Sequence, residues 1–277
     1  MGPCGCATEN LGGLARRAAF VRGERGRGVP LLLVDSGDDL SYAPIATLPV
    51  HLRKEADRSA QLISRIYESL QYDAILRGEA DIFDGRGFGS PEFDRSPALR
   101  IVERSGWRVA IFGFGSPNLF PRFDENWRAE IAKIRPKVDL VLVLAHIAET
   151  EISGIAKVLK RGDIVILGHT GKHLDDPILR KDVLFFEADY RGQFVGKLQL
   201  HLESDKLSTK NQIDRLRLED DLRFSEEPAA RKQIEERIKS LGPRPKSWYA
   251  NELVPLSERV SPDREILKQV ESVTRKN

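Results

Sequence analysis

Val138-Asp139-Leu140-Val141-Leu142-Val143-Leu144-Ala145-His146 and, further on, Asp163-Ile164-Val165-Ile166-Leu167-Gly168-His169-Thr170-Gly171 are two short apolar runs that each lead into a histidine. Runs this short, and continuous rather than alternating, read as strands buried on both faces, as the strands of a parallel sheet are. Between them, Glu149 to Leu159 has helical spacing, so the unit is strand, helix, strand. In such a sheet the strand ends converge on one rim, where residues remote in sequence can share a single ion.

The same alternation extends outward. Pro30-Leu31-Leu32-Leu33-Val34-Asp35 reads as a buried strand that runs into Ser36-Gly37-Asp38, and Tyr72-Asp73-Ala74-Ile75-Leu76 as another that stops at Gly78-Glu79-Ala80-Asp81. Arg108 to Phe114 is a third. Val183 to Glu187 and Gln193 to Leu202 are closing strands, the second alternating apolar and polar residues like a half-exposed antiparallel strand. Helices are predicted over Leu11–Arg25, Arg53–Leu70 and Trp127–Ile134. After Ser204 the character changes, with dense charge from Lys206 to Lys239, then Leu241-Gly242-Pro243-Arg244-Pro245, and a short amphipathic helix within Pro255–Asn277. The expected division is an α/β domain over 1–204 and a charged helical C-terminal extension over 205–277.

The 277 residues suffice for a full hydrophobic core. A hydrophobic content of 40%, a charged content of 31% and a mean hydropathy of -0.37 fit a soluble globular chain. The 44 basic and 42 acidic side chains nearly cancel, which gives no electrostatic case for nucleic acid as a partner. No apolar stretch approaches the roughly 20 residues of a membrane span, and no charged-then-apolar leader opens the chain. The cysteines are Cys4 and Cys6, separated by one glycine, a spacing that permits a strained disulfide but no long-range staple.

Asp38 follows a glycine directly after a buried strand, where a carboxylate can reach a metal or can simply cap a turn. His146 and His169 on the same rim favour the metal. Glu79 and Asp81 add carboxylates there. Asp38, Glu79, His146 and His169 form a nitrogen-plus-oxygen ligand set that suits manganese, zinc or ferrous iron, with Asp35 and Asp81 as possible additions. His51, His173 and His201 are read as structural. Cys4 and Cys6 are candidates for thiol redox exchange or soft-metal binding, or else two cysteines in a glycine-rich turn.

Asn10-Leu11-Gly12-Gly13-Leu14-Ala15-Arg16-Arg17-Ala18, Val34-Asp35-Ser36-Gly37-Asp38, Tyr72-Asp73-Ala74-Ile75, Leu144-Ala145-His146 and Gly168-His169-Thr170 together resemble the metallophosphoesterase half of the bacterial 5′-nucleotidase family, the calcineurin-like phosphoesterase fold. Pro3-Cys4-Gly5-Cys6 looks like a subgroup of exported relatives in which one of these cysteines can be selenocysteine. The resemblance implies a four-layer α/β/β/α sandwich of two mixed sheets and a two-metal site that hydrolyses phosphate esters. It also implies an exported or periplasmic location.

The family's Asp-x-His motif, and with it the first family strand, would lie upstream of Cys4, so the natural product is expected to be longer. The second histidine of its Gly-His-x-His pair is Gly171 here, and its Asn-His-Glu turn is Glu79-Ala80-Asp81, which puts Ala80 in place of the catalytic histidine. The resemblance therefore implies one divalent ion at Asp38, Glu79, His146 and His169, a partly eroded site, and weak or altered hydrolysis of a small phosphate or sulfur ester. Two competing readings are a thiol redox protein using Cys4 and Cys6, and a non-catalytic binding module.

Overall fold

The computed structural model describes residues 11–41, 43, 47–83, 86–87, 99–115, 125–203, 209–243 and 246–274. Along the chain these give helix α1 (Leu14–Gly26), strand β1 (Val34–Asp35), α2 (Val50–Ser69), β2 (Ala74–Ile75) and a small hairpin of β3 (Ile82–Phe83) and β4 (Arg86–Gly87). Then come β5 (Leu99–Arg104), β6 (Trp107–Phe114), α3 (Glu125–Ile134), β7 (Leu140–His146), α4 (Ile152–Ala156), β8 (Ile164–Gly168), β9 (Ile178–Arg180), β10 (Val183–Phe186) and β11 (Phe194–His201). The last elements are α5 (Thr209–Phe224), α6 (Pro228–Ser240), β12 (Trp248–Pro255) and α7 (Arg264–Thr274).

The main sheet has the order β5-β6-β7-β8-β10-β9, parallel through its centre and antiparallel at both edges. β7 is buried along its whole length, as its unbroken apolar run requires. One face of this sheet packs on α3 and α4 through Phe112, Val143, Val165, Trp127 and Ile155. Its other face meets a second β layer, where Ile111, Leu144 and Leu184 pack with Ala74 and Leu76 and with Tyr249 of β12. That second layer consists of the parallel pair β1-β2 and the antiparallel pair β11-β12. Its outer side is covered by α1, α2 and α7, with Ala18, Ile66, Tyr67, Ile266 and Val270 in one cluster with Ile75. The layers are thus α/β/β/α, two β layers inside two helical ones.

Several elements differ from their expected extent for local reasons. The strand expected over Pro30–Asp35 narrows to Val34–Asp35, because upstream the Leu33 amide is bonded to the Asp73 carboxylate at 2.9 Å. The helix expected over Glu149–Leu159 is a 3-10 turn over Glu149–Glu151 and the short α4. β5 was not anticipated; it forms a hairpin with β6 across Ser105 and Gly106, both at positive φ, the backbone that a tight two-residue turn requires.

Within 205–277, where a charged helical extension was expected, the structure has α5, α6, β12 and α7, and the last two pack on the rest of the fold. β12 pairs with β11 over eight residues, from Phe194 opposite Pro255 to His201 opposite Trp248. The Leu256 carbonyl accepts from the Gly12 amide at 2.9 Å, and α7 buries Ile266 and Val270 against α1 and α2. The reason is burial: the apolar stripe of α7 has nowhere to go except onto those two helices. No helix among the described residues is long and apolar enough to cross a membrane. Cys4 and Cys6 lie outside the described residues.

Candidate metal centre

β7 and β8 run parallel with His146 opposite Gly168, so His146 and His169 leave adjacent strands at the same rim. Asp38 reaches that rim from the facing layer, in the turn after β1. The Ser36 hydroxyl donates to the Leu167 carbonyl at 3.0 Å and joins the two layers beside the site. One ligand atom from each of Asp38, His146 and His169 lies within 4.8 Å of the others. The two imidazole rings sit 4.8 Å apart at 68°. His146 forms a buried floor, while Asp38 and His169 are exposed at the mouth. A cation placed there would keep an open side toward solvent, as the cation of a catalytic site does.

The His146 side chain is fully buried, and its Nδ1 lies 3.0 Å from the Ser36 carbonyl oxygen. A carbonyl oxygen only accepts, so Nδ1 carries the proton. In a neutral ring Nε2 then turns a lone pair toward Asp38 Oδ2, 3.3 Å away. Lone pair facing carboxylate is repulsive unless a proton on Nε2 or a shared cation lies between them. A backbone carbonyl orienting the far nitrogen is also how ligating histidines are commonly held.

Asp38 is suited to the anionic role. Burial alone would raise its pKa, but the hydrogen bond and charge of His146, the Ala80 amide at 2.9 Å and the charge of His169 outweigh burial, and the pKa is lowered.

The backbone at Asp38 is left-handed, with φ of 64°, as is that at His169, with φ of 83°. Such conformations persist in non-glycine residues only where the surroundings enforce them. At Asp38 the enforcer is Asp81, whose Oδ2 accepts the amides of Asp38 at 2.8 Å and Gly78 at 2.9 Å, and whose Oδ1 accepts the Leu40 amide at 2.8 Å. At His169 it is Glu187, which accepts the Thr170 hydroxyl and the Gly171 amide, the latter at 2.7 Å. Both carboxylates are buried. Burial pushes the Asp81 pKa up, the Leu40 and Gly78 amides pull it back and the charge of Asp38 raises it again, which leaves it at about 6.

Of the other anticipated ligands, Asp81 thus has its oxygens engaged by backbone amides. Asp35 turns to Arg17 at 3.3 Å, in a group with Asp39 and Tyr67, and does not join the triad. Within that group burial first, and the neighbouring Asp35 second, hold the Asp39 carboxyl well above the ordinary range, with Arg17 opposing. Glu79 opens a 3-10 turn over Glu79–Asp81, and its side chain lies outside the described part of the structure. His173 is held by Asp189 at 3.0 Å and Asp175 at 3.3 Å, and His201 stacks on Trp248. No other group of histidine and acidic side chains gathers this way among the described residues.

Four residues that shape the site escaped the sequence reading: Ser36, Gly78, Gly168 and Glu187. Glycine is required at Gly168, where a Cβ would lie 3.0 Å from Ser36 Oγ and 3.1 Å from His146 Nδ1. The available signals were a glycine immediately before a rim histidine and an acid closing the apolar run Val183-Leu184-Phe185-Phe186-Glu187.

No model of a known protein family matches the sequence. An uncharacterized metallophosphoesterase of Bacillus subtilis, YunD, is 20% identical, over 51% of this chain and 32% of that protein. Among solved structures, the sulfate thiohydrolase SoxB of Thermus thermophilus aligns with a TM-score of 0.65 at 14% identity, over 96% of this chain and 47% of that one. A 5′-nucleotidase precursor from Thermus thermophilus aligns with a TM-score of 0.60 at 18% identity, over 97% of this chain and 54% of that one. The chain thus spans a third of the curated relative and about half of the solved proteins it matches. Over that half, it has the fold of the 5′-nucleotidase and sulfate thiohydrolase structures.

Proposed function

We propose that this chain is a divergent metal-dependent ester hydrolase that holds one divalent cation, manganese, zinc or ferrous iron, at Asp38, His146 and His169, with Glu79 as a further ligand, and cleaves a small phosphate or sulfur ester. The observation that carries the proposal is the approach of His146 Nε2 to Asp38 Oδ2 with His169 beside them, a donor set that one shared cation would bridge. The likeness to a metallophosphoesterase, a 5′-nucleotidase precursor and a thiohydrolase supports the reaction class; the exported or periplasmic location implied by the family resemblance is part of the same proposal. A cation bound there supplies Lewis acidity toward an ester oxygen.

The protein's own residues set the limits. His146 and Asp38 are held by Ser36, Asp81 and Ala80, so the ligand atoms are in place before anything binds. The open side between Asp38 and His169 admits the ester. Ala80 is buried and donates its amide to Asp38, but its methyl group can neither pass a proton to a leaving group nor offset developing charge. Loss of one such donor is worth about 3 to 4 kcal/mol of transition-state stabilisation, so the rate is expected to be weak by roughly 10² to 10³.

The test is a panel of nucleotides, an aryl phosphate diester and a thiosulfate-type sulfur ester, assayed with added manganese or zinc. Slow hydrolysis of at least one member is expected, stopped by chelation and absent in Asp38→Asn. No turnover of any member by metal-loaded protein contradicts the hydrolase reading.

A further inference from the structure

Asp38 follows the C-terminal end of β1; the opposite end of β1 and β2, which run parallel, opens on a cleft of about 450 Å³, a volume within the range of small-molecule sites. The cleft is lined by Arg25 of α1, by Val29 and Leu31 of the segment leading into β1, by Gln71 and Asp73 of the segment leading into β2, and by Arg104, the last residue of β5. It shares no residue with the triad.

The polar groups of the cleft hold one another in place. Asp73 is buried and both of its oxygens are engaged, Oδ2 by the Leu33 amide at 2.9 Å and Oδ1 by Arg104 Nη2. Arg104 also donates through Nε to the Leu31 carbonyl at 3.1 Å and through Nη1 to the Glu103 carbonyl at 2.9 Å, so its guanidinium is fixed although the side chain is 40% exposed. Arg25 Nη2 donates to the carbonyl of Gln71 at 2.9 Å, and the Gln71 backbone is left-handed with φ of 49°. A guanidinium presents five donors in a planar fork, of which these bonds engage only one on Arg25.

The charge facing the cleft is positive. Two of its lining residues are arginines, and Asp73, the acid among them, is already paired with Arg104. A cation entering the cleft would meet two guanidinium groups and no unpaired carboxylate of the lining. An oxyanion is the complementary ligand, because carboxylate and phosphate oxygens match the guanidinium fork. Val29, 65% exposed, and the half-buried Leu31 place apolar surface beside that charge, which an alkyl group would cover.

We propose that this cleft is a second binding site, for a small organic oxyanion whose carboxylate or phosphate head is held by Arg25 and Arg104 and whose short apolar tail lies on Val29 and Leu31. The site does not depend on the reading of the triad, and its failure would leave the cation site standing.

The test is an NMR titration of the full chain, without added metal, with butyl phosphate, butyrate, inorganic phosphate and the uncharged butyramide. Butyl phosphate or butyrate is expected to shift the amide signals of Gln71 and Asp73 and the methyl signals of Val29 and Leu31, and the tighter of the two identifies the head group. The His146 and His169 signals are expected to stay in place. Butyl phosphate should bind at least about threefold more tightly than inorganic phosphate, from partial cover of its alkyl chain, and butyramide should not bind. Arg25→Ala is expected to weaken the tighter of the two organic anions about tenfold, the size of one lost charge-assisted contact. Its spectrum also shows whether the variant is folded, and Arg25→Gln, which keeps a donor and removes the charge, is expected to weaken binding in the same direction. No binding of either organic anion, shifts confined to His146 and His169, equal binding of butyramide, or unchanged affinity in both folded variants would overturn the site. Equal affinity for butyl phosphate and inorganic phosphate would overturn the apolar part of the proposal.

Discussion

Gly78→Ala is expected to cost about 3 kcal/mol of stability and to weaken metal binding at least tenfold. A Cβ at Gly78 would lie 2.6 Å from Asp38 Cγ and 2.7 Å from the Asp38 amide nitrogen, nearer than real side chains come. The reciprocal contact is as tight, since a Cβ on Gly37 would lie 2.6 Å from the Gly78 nitrogen. The atoms in the way are backbone and the Asp38 carboxylate, which its bond to the Ala80 amide holds in place. Overpacking in a core costs about 1 to 3 kcal/mol, and a contact that only backbone movement relieves belongs at the top of that range. The movement also carries Asp38 away from His146. Gly23→Ala is the control: nothing lies within 4 Å of the added methyl in mid-α1, and a stability gain of up to about 1 kcal/mol is expected there. Urea unfolding and a manganese titration on both variants separate the two cases. Wild-type stability and affinity in Gly78→Ala would mean that the turns after β1 and β2 do not meet.

Asp81→Asn is expected to cost about 2 kcal/mol at pH 7, because one carboxylate satisfies three backbone amides, those of Leu40 and Gly78 in buried bonds, and an asparagine can satisfy only the ones its single oxygen reaches. Its amide group must also face an N–H donor. The effect depends on pH with a definite sign. Burial raises the folded pKa of Asp81 to about 6, above the ordinary 3.8, so the stability this residue confers is fully present below about pH 4 and is lost as pH rises through about 6. Asparagine lacks that loss. The destabilisation by Asp81→Asn should accordingly be larger at pH 5 than at pH 7, measured as the difference in urea midpoints between variant and wild type. A difference that grows from pH 5 to pH 7 would contradict the raised pKa.

The parts of the fold visible in the sequence are those whose signal is local. β7, β8 and β10 are continuous apolar runs, and the rim histidines follow from where the first two end. β12 is different: Trp248 to Pro255 alternates weakly, with Tyr249 as its one fully buried side chain, and its place is set by pairing with β11 far away in the chain. The helical spacing of α7 was legible, but the α1 and α2 surfaces that receive Ile266 and Val270 were not. In the site, Asp38 was visible as a glycine-aspartate turn after a strand. Its geometry was not, because it depends on Asp81 reaching back across the 43 residues that separate it from the Asp38 amide. An aspartate that staples a loop and one that binds a metal have the same letter and the same strand-end position, and only the direction of the carboxylate distinguishes them. Asp35 illustrates the same ambiguity, resolved by Arg17.

The most direct measurement is the metal content of the purified full chain after equilibration with manganese or zinc, in wild type and in His146→Ala. One ion per chain is expected in the wild type, with affinity lower by about 10- to 100-fold or more in the variant, because removing a direct ligand should cost at least as much as removing an outer partner. Unchanged metal content in His146→Ala would contradict the assignment of Asp38, His146 and His169 as a shared cation site.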